Sequence, residues 1–130
     1  MKDPKSRRRV LVVSGGQQTH DYIASLLPAD EFEPPTLAHT GGEARRLLLS
    51  EAFDILVVNA PLPDEFGLDL AQDAAEGHTG VLLLTKSDTY EQVAIRAEDA
   101  GVLTLAKPVP RQTLYTSVRL LAAVSARLAK

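Results

Sequence analysis

Residues 54–67 read DILVVNAPLPDEFG: an apolar run, a lone polar residue at Asn59, and a proline-rich turn that closes on Gly67. An apolar run with no polar alternation marks a strand covered on both faces, as in a parallel sheet between helical layers. The last residue of such a strand stands where open α/β sheets hold their ligands. An aspartate at position 59 would read as a nucleophile or a metal ligand. The residue is an amide instead.

Similar runs lie on either side. RVLVV (9–13) and GVLLLT (80–85) are continuously apolar, and PTLAH (35–39) and VLTLA (102–106) supply two weaker strands. Helical patterns alternate with them. The first spans about 17–27, with Tyr22, Ile23, Leu26 and Leu27 on one face. The second opens at TGGE, where Thr40 caps and Glu43 reaches back, with Ala44, Leu47 and Leu48 inward. The third runs from about Gly67 to Glu76 and stops at Gly77. The fourth begins at Asp88 and ends before Gly101. The last carries Pro110 in its first turn and runs to the C-terminus. Five βα units with short connections predict an α/β fold, a flavodoxin-like (βα)5 doubly wound parallel sheet of strand order 2-1-3-4-5. Ser14, Asn59, Thr85 and Lys107 then fall at or just past strand ends, converging on one crevice.

Composition bounds the rest. The chain has 130 residues, enough for one core and not two, with a net charge of −3 and no cysteine. Disulfides, thiol catalysis and cysteine-ligated metals are therefore excluded, and no bulk attraction to nucleic acid or membrane is implied. The expected organisation is a basic tail (1–8) and one domain (9–130), whose final helix is about 110–129. The apolar run after the tail is too short for a signal-peptide core, and no stretch is long enough to span a bilayer. A cytoplasmic location is expected.

With Asn59, Pro63 and Gly67 in one loop, Thr85 after the fourth strand and Lys107-Pro108 after the fifth, the chain resembles a response-regulator receiver domain over about residues 8–128. The resemblance puts Asn59 at the phosphoacceptor position, Pro63 and Gly67 in the loop frame, and Thr85 at the hydroxyl that reads the phosphoryl group. Lys107 matches the lysine that pairs with that group, before a bond to Pro108 that is often cis in the family. Receivers hold Mg²⁺ with an acidic pair after the first strand; here that place reads Ser14-Gly15-Gly16. Without carboxylates for the metal and with an amide for the nucleophile, the resemblance implies a pseudo-receiver, not an enzyme, that has lost Mg²⁺ binding and binds no other cofactor.

RRRVLVVSGG, GGEARRLLLSEAFDILVVNAPLPDEFGLDLA and GVLTLAKPVPRQTLYTSVRLLAA are further similar to the N-terminal domain of ANTAR-type antitermination regulators. That likeness implies a coiled coil and an RNA-binding module beyond the final helix, where Leu114, Leu121 and Leu128 recur every seven residues with Val118 and Val124 near the intermediate turns. Partners implied are a second copy, through the fourth helix, fifth strand and fifth helix, and an output module or partner protein. That face carries Tyr90, Glu91, Arg96, Glu98, Arg111, Tyr115 and Arg119. Direct nucleic-acid binding and membrane binding are not expected.

Rival readings remain open. Asp64 and Asp69 flank the acceptor position, and Asp64, on the loop and not at the strand end, is a surrogate phosphoacceptor candidate. Ser14-Gly15-Gly16, Thr85 and Lys107 together are candidates for sensing a small anion. Lys107 without a phosphate has two obvious acceptors: the Asn59 side-chain oxygen or a backbone carbonyl. His20, His39 and His78 lack ligand spacing and read as surface residues.

Overall fold

The computed structural model describes residues 7–128. Five strands alternate with five helices: β1 (Val10–Val13), α1 (Gln17–Leu26), β2 (Thr36–Ala38), α2 (Gly41–Ser50), β3 (Ile55–Asn59), α3 (Leu68–Glu76), β4 (Gly80–Lys86), α4 (Tyr90–Asp99), β5 (Leu103–Lys107) and α5 (Arg111–Leu128). All pairings are parallel, in the order β2-β1-β3-β4-β5. This is the doubly wound arrangement expected from the alternating pattern. Most of the basic tail (1–6) lies outside the described residues.

The sheet has a core on each side, which is why its strands lack polar alternation. Val10, Val12, Ile55, Val57, Leu82 and Leu84 pack under α1 and α5. Their neighbours Leu11, Val13, Leu56, Val58, Val81 and Leu83 pack under α2, α3 and α4. Each fully buried aliphatic side chain contributes roughly 1.5–3 kcal/mol relative to exposure.

Several boundaries move, each for a local reason. α4 starts at Tyr90 rather than Asp88, because residues 86–89 form a turn in which Thr89 donates N–H and hydroxyl bonds to the Lys86 carbonyl (both 3.1 Å). Pro110 precedes α5 instead of joining it; its carbonyl accepts the Leu114 N–H at 3.0 Å. Thr40 Oγ1 accepts from the Glu43 N–H at 3.1 Å. The reciprocal bond from the Glu43 side chain is not made among the described residues, and the free amides of Gly41 and Gly42 turn to Asp64.

The seven-residue series on the last helix packs inward. Leu114 and Val118 are buried and Leu121 partly so, all against the sheet. Val124 is half-exposed, and Leu128 lies outside the residues whose side chains are described. Of the charged and aromatic set placed on the α4–β5–α5 face, Arg119 pairs within the chain with Glu31 (3.2 Å) and lies over the Tyr115 ring. The same three elements instead expose apolar side chains that periodicity alone does not reveal: Ile95 (69% exposed), Leu103, Leu120 (61%) and Val124.

Candidate functional site

The carboxyl ends of β1, β3 and β5 bring Ser14, Asn59 and Lys107 together. Asn59 ends the central strand, so its side chain leaves the sheet where the β1–α1 turn and the end of β5 meet it. Its Nδ2 donates to Ser14 Oγ (3.2 Å) and to Thr19 Oγ1 (2.9 Å). Lys107 Nζ donates to Asn59 Oδ1 and to the Ala60 carbonyl, both at 2.8 Å. Both acceptors open to Lys107 in the sequence are thus used at once. Burial, and secondarily nearby Lys86, hold the Lys107 ammonium below the ordinary lysine pKa. Every polar atom of the Asn59 side chain faces a partner within the crevice.

Thr85 is not part of this network. It is buried, and its hydroxyl shares a 2.9 Å hydrogen bond with Thr89 Oγ1 at the start of α4. Thr19, which sequence reasoning missed, takes a place in it. The only signal was a hydroxyl in the first turn of the helix after β1. Gly15 and Gly16 are exposed, and no side chain caps the amino end of α1. A Cβ on Gly15 would lie 3.1 Å from Pro63 Cγ, so the β1–α1 turn rests closely on the β3–α3 loop.

That loop keeps the expected frame. Gly67 has φ +117° and precedes α3, and its carbonyl accepts the Ala71 N–H at 3.0 Å. Lys107–Pro108 is cis, and so is Ala60–Pro61, which the sequence reading did not anticipate.

Asp64 points away from the crevice. Its carboxylate accepts the Gly41 N–H at 2.9 Å and the Gly42 N–H at 3.1 Å, closing the amino end of α2. Those two bonds, Gly41 first, pull its pKa below the ordinary carboxylate value. A carboxylate depressed in the folded state contributes stability above its unfolded pKa of about 4 and loses it as pH falls through the folded value. Asp64→Asn is therefore expected to lower the urea midpoint at neutral pH. The gap from wild type should shrink as pH falls below about 4. A gap independent of pH would mean that the charge is not what stabilises this cap.

Of the three histidines, His39 and His78 are exposed, but His20 is half-buried, with Nε2 2.8 Å from the Pro35 carbonyl. The surface reading was wrong there because α1 lays His20 against the segment entering β2. No group of three or more histidines or acidic residues is placed to hold a metal among the described residues. No described helix is long and apolar enough to cross a membrane.

No protein-family model matches the chain. Over 122 residues, 88% of the chain, it is 32% identical to the response regulator protein PilR of Pseudomonas aeruginosa. The chain spans 27% of that protein's length. Among solved structures it is similar to the signal receiver domain of an HD domain-containing protein from Pseudomonas fluorescens, with a TM-score of 0.83 at 21% identity. That match covers 99% of this chain and 96% of the other. A response regulator receiver domain protein from Clostridium thermocellum aligns with a TM-score of 0.80 at 20% identity, covering 93% and 98%. The chemotaxis response regulator CheY4 of Vibrio cholerae aligns at 0.75 and 20%, covering 88% and 98%.

Proposed function

The fold and the sequence likeness support a response-regulator receiver (CheY-like) domain of two-component signalling, and we propose that within that class this chain is a pseudo-receiver. The observation that carries the proposal is the closed network at the strand ends. Lys107 is bonded to Asn59 and Ala60, and the Asn59 amide to Ser14 and Thr19, so the position that would take a phosphoryl group is filled by the protein's own hydrogen bonds.

Phosphoryl transfer in a receiver needs a carboxylate nucleophile and a divalent cation. Asn59 is an amide. Mg²⁺ favours carboxylate and water oxygens, but the ends of β1 and β3 offer it a serine hydroxyl and an amide oxygen that already accepts from an ammonium. Gly15 brings no carboxylate, and a longer side chain there would press on Pro63. These residues do not fit the metal. Asp64 is a poor surrogate acceptor, since its carboxylate is committed to two amides of α2.

The domain then signals by contact rather than by its own catalysis. It pairs with a second copy through α4, β5 and α5, a reading supported by exposed Ile95, Leu103, Leu120 and Val124. It passes its state along α5 to an output module. The sequence resemblance implies that this module is an RNA-binding antitermination unit in the cytoplasm. The acidic domain itself leaves nucleic acid alone.

Incubation with acetyl phosphate and Mg²⁺ is expected to leave the intact mass of the wild-type chain unchanged, and that of Asn59→Asp as well, since position 59 alone restores only one of two missing parts. A phosphoryl adduct on the wild type would overturn the reading, and peptide mapping would show whether Asp64 carries it. Efficient labelling of Asn59→Asp alone would show that the acidic pair is dispensable.

A further inference from the structure

The closed network forms one side of a cavity of about 690 Å³, which lies between α1, the β4–α4 turn and the segment joining β5 to α5 and takes Thr19, Asn59 and Lys107 into its lining. Tyr22, Leu84, Pro108, Val109 and Leu114 give it an apolar wall. Its volume falls within the ~300–1,000 Å³ usual for small-molecule sites. Tyr22, expected to face the core with Ile23 and Leu26, instead stands 40% exposed at this opening.

The charges around it are unbalanced. Lys86 and Lys107 are register partners at the ends of β4 and β5, and both line the cavity. Asp88 is the third charged lining residue and the one acid, which leaves the lining with a net positive charge. Neither lysine has a carboxylate within 4.0 Å among the described residues, where the ion pairs fall on arginines and His20. Lys107 Nζ uses two of its three N–H groups on Asn59 and Ala60. Two lysines close enough to repel, one of them held in a partly buried place, favour an anion between them.

We propose that this cavity binds a small organic carboxylate, its head on Lys86 and Lys107 and its apolar body against Tyr22, Leu84 and Val109. An ion without an apolar body would leave the wall unused, and a neutral apolar molecule would leave the lysines unpaired. Bound there, the ligand would join α1 to the start of α5, giving the final helix an input that needs no phosphoryl group. The proposal goes beyond the pseudo-receiver reading and shares with it only the placement of Lys107 beside Asn59.

The test is a set of ¹H–¹⁵N titrations of the whole chain with 3-phenylpropionate, 4-phenylbutyrate and octanoate, each beside its primary amide, and with inorganic phosphate. Saturable shifts at millimolar acid are expected at the backbone amides of Tyr22, Ser87 and Val109. The neutral amides should bind about fivefold more weakly, the scale of one partly exposed ion pair. Lys86→Gln, at an exposed position, should weaken the acids by a similar factor and leave the neutral amides unmoved. Val109→Asp should abolish the shifts. The proposal is overturned if no acid produces a saturable shift, if acid and amide bind alike, or if Lys86→Gln changes nothing. It is overturned equally if phosphate alone matches the acids.

Discussion

Gly67→Ala is expected to destabilise the domain by about 3 kcal/mol, from two additive causes. Gly67 sits at φ +117°, where an L side chain meets its own backbone, at roughly 1–2 kcal/mol. A Cβ at that position would also lie 2.8 Å from Val58 Cγ1, inside the contact distance of two carbons. Val58 is fully buried in the central strand and has nowhere to retreat, so overpacking costs ~1–3 kcal/mol more. The urea midpoint should fall accordingly, with Tm lower by roughly 10 °C. A loss below about 1 kcal/mol would mean that the loop moves away from β3 to make room, and that its close seating on Val58 is not a constraint.

The second large effect is expected at the strand ends. Lys107→Met should cost about 2 kcal/mol, because Asn59 Oδ1 and the Ala60 carbonyl lose their donor in a partly buried place. Asn59→Leu should cost a similar ~2 kcal/mol, since it strips the buried Ser14 hydroxyl of its partner and leaves Lys107 with one acceptor. The double variant should cost less than the sum by about 1 kcal/mol, because once one partner is gone the other has less to lose. Urea unfolding of the four proteins reads this coupling directly. Additivity within ~0.3 kcal/mol would show that the two side chains act independently, removing the closed network on which the pseudo-receiver reading rests.

Much of this architecture is legible in the chain because burial on two faces leaves a plain trace. Residues 10–13, 55–58 and 81–84 are unbroken apolar runs, and each became a strand with alternate residues in two cores. Helix starts were less legible. The turn ending at Thr89 and the place of Pro110 just ahead of α5 depend on backbone bonds that no residue type announces. At the site, Asn59, Ser14 and Lys107 were found because strand order alone carries them to one edge. Thr19 was missed because a helical hydroxyl has no periodic signal. The turn of Thr85 toward Thr89 is a rotamer choice that rests on a neighbour four residues on, which the residue type at 85 does not announce. Asp64 looked like a spare acid on the loop; its role in capping α2 follows from folding that loop onto a helix start 23 residues away in sequence. The apolar side chains exposed on α4, β5 and α5 escaped notice because they are scattered over three elements, outside the stripes that face the core.

The position of β3 has a consequence for how the chain is made. β1 pairs with β2 on one side, but its other edge is covered only when Val10–Val13 meets Ile55–Val58. The bond from the Arg9 N–H to Asp54 that starts this pairing spans 45 residues. During synthesis, therefore, the first strand emerges long before its second partner and waits with apolar faces and an open edge of unpaired N–H and C=O groups, the kind that recruits strands from other chains. Long-range parallel pairing is also slow to form. The vulnerable interval in the life of this protein is thus the passage of residues 14–54 through the ribosome, and a holdase would protect it best at that stage, before the strand bearing Asn59 has appeared.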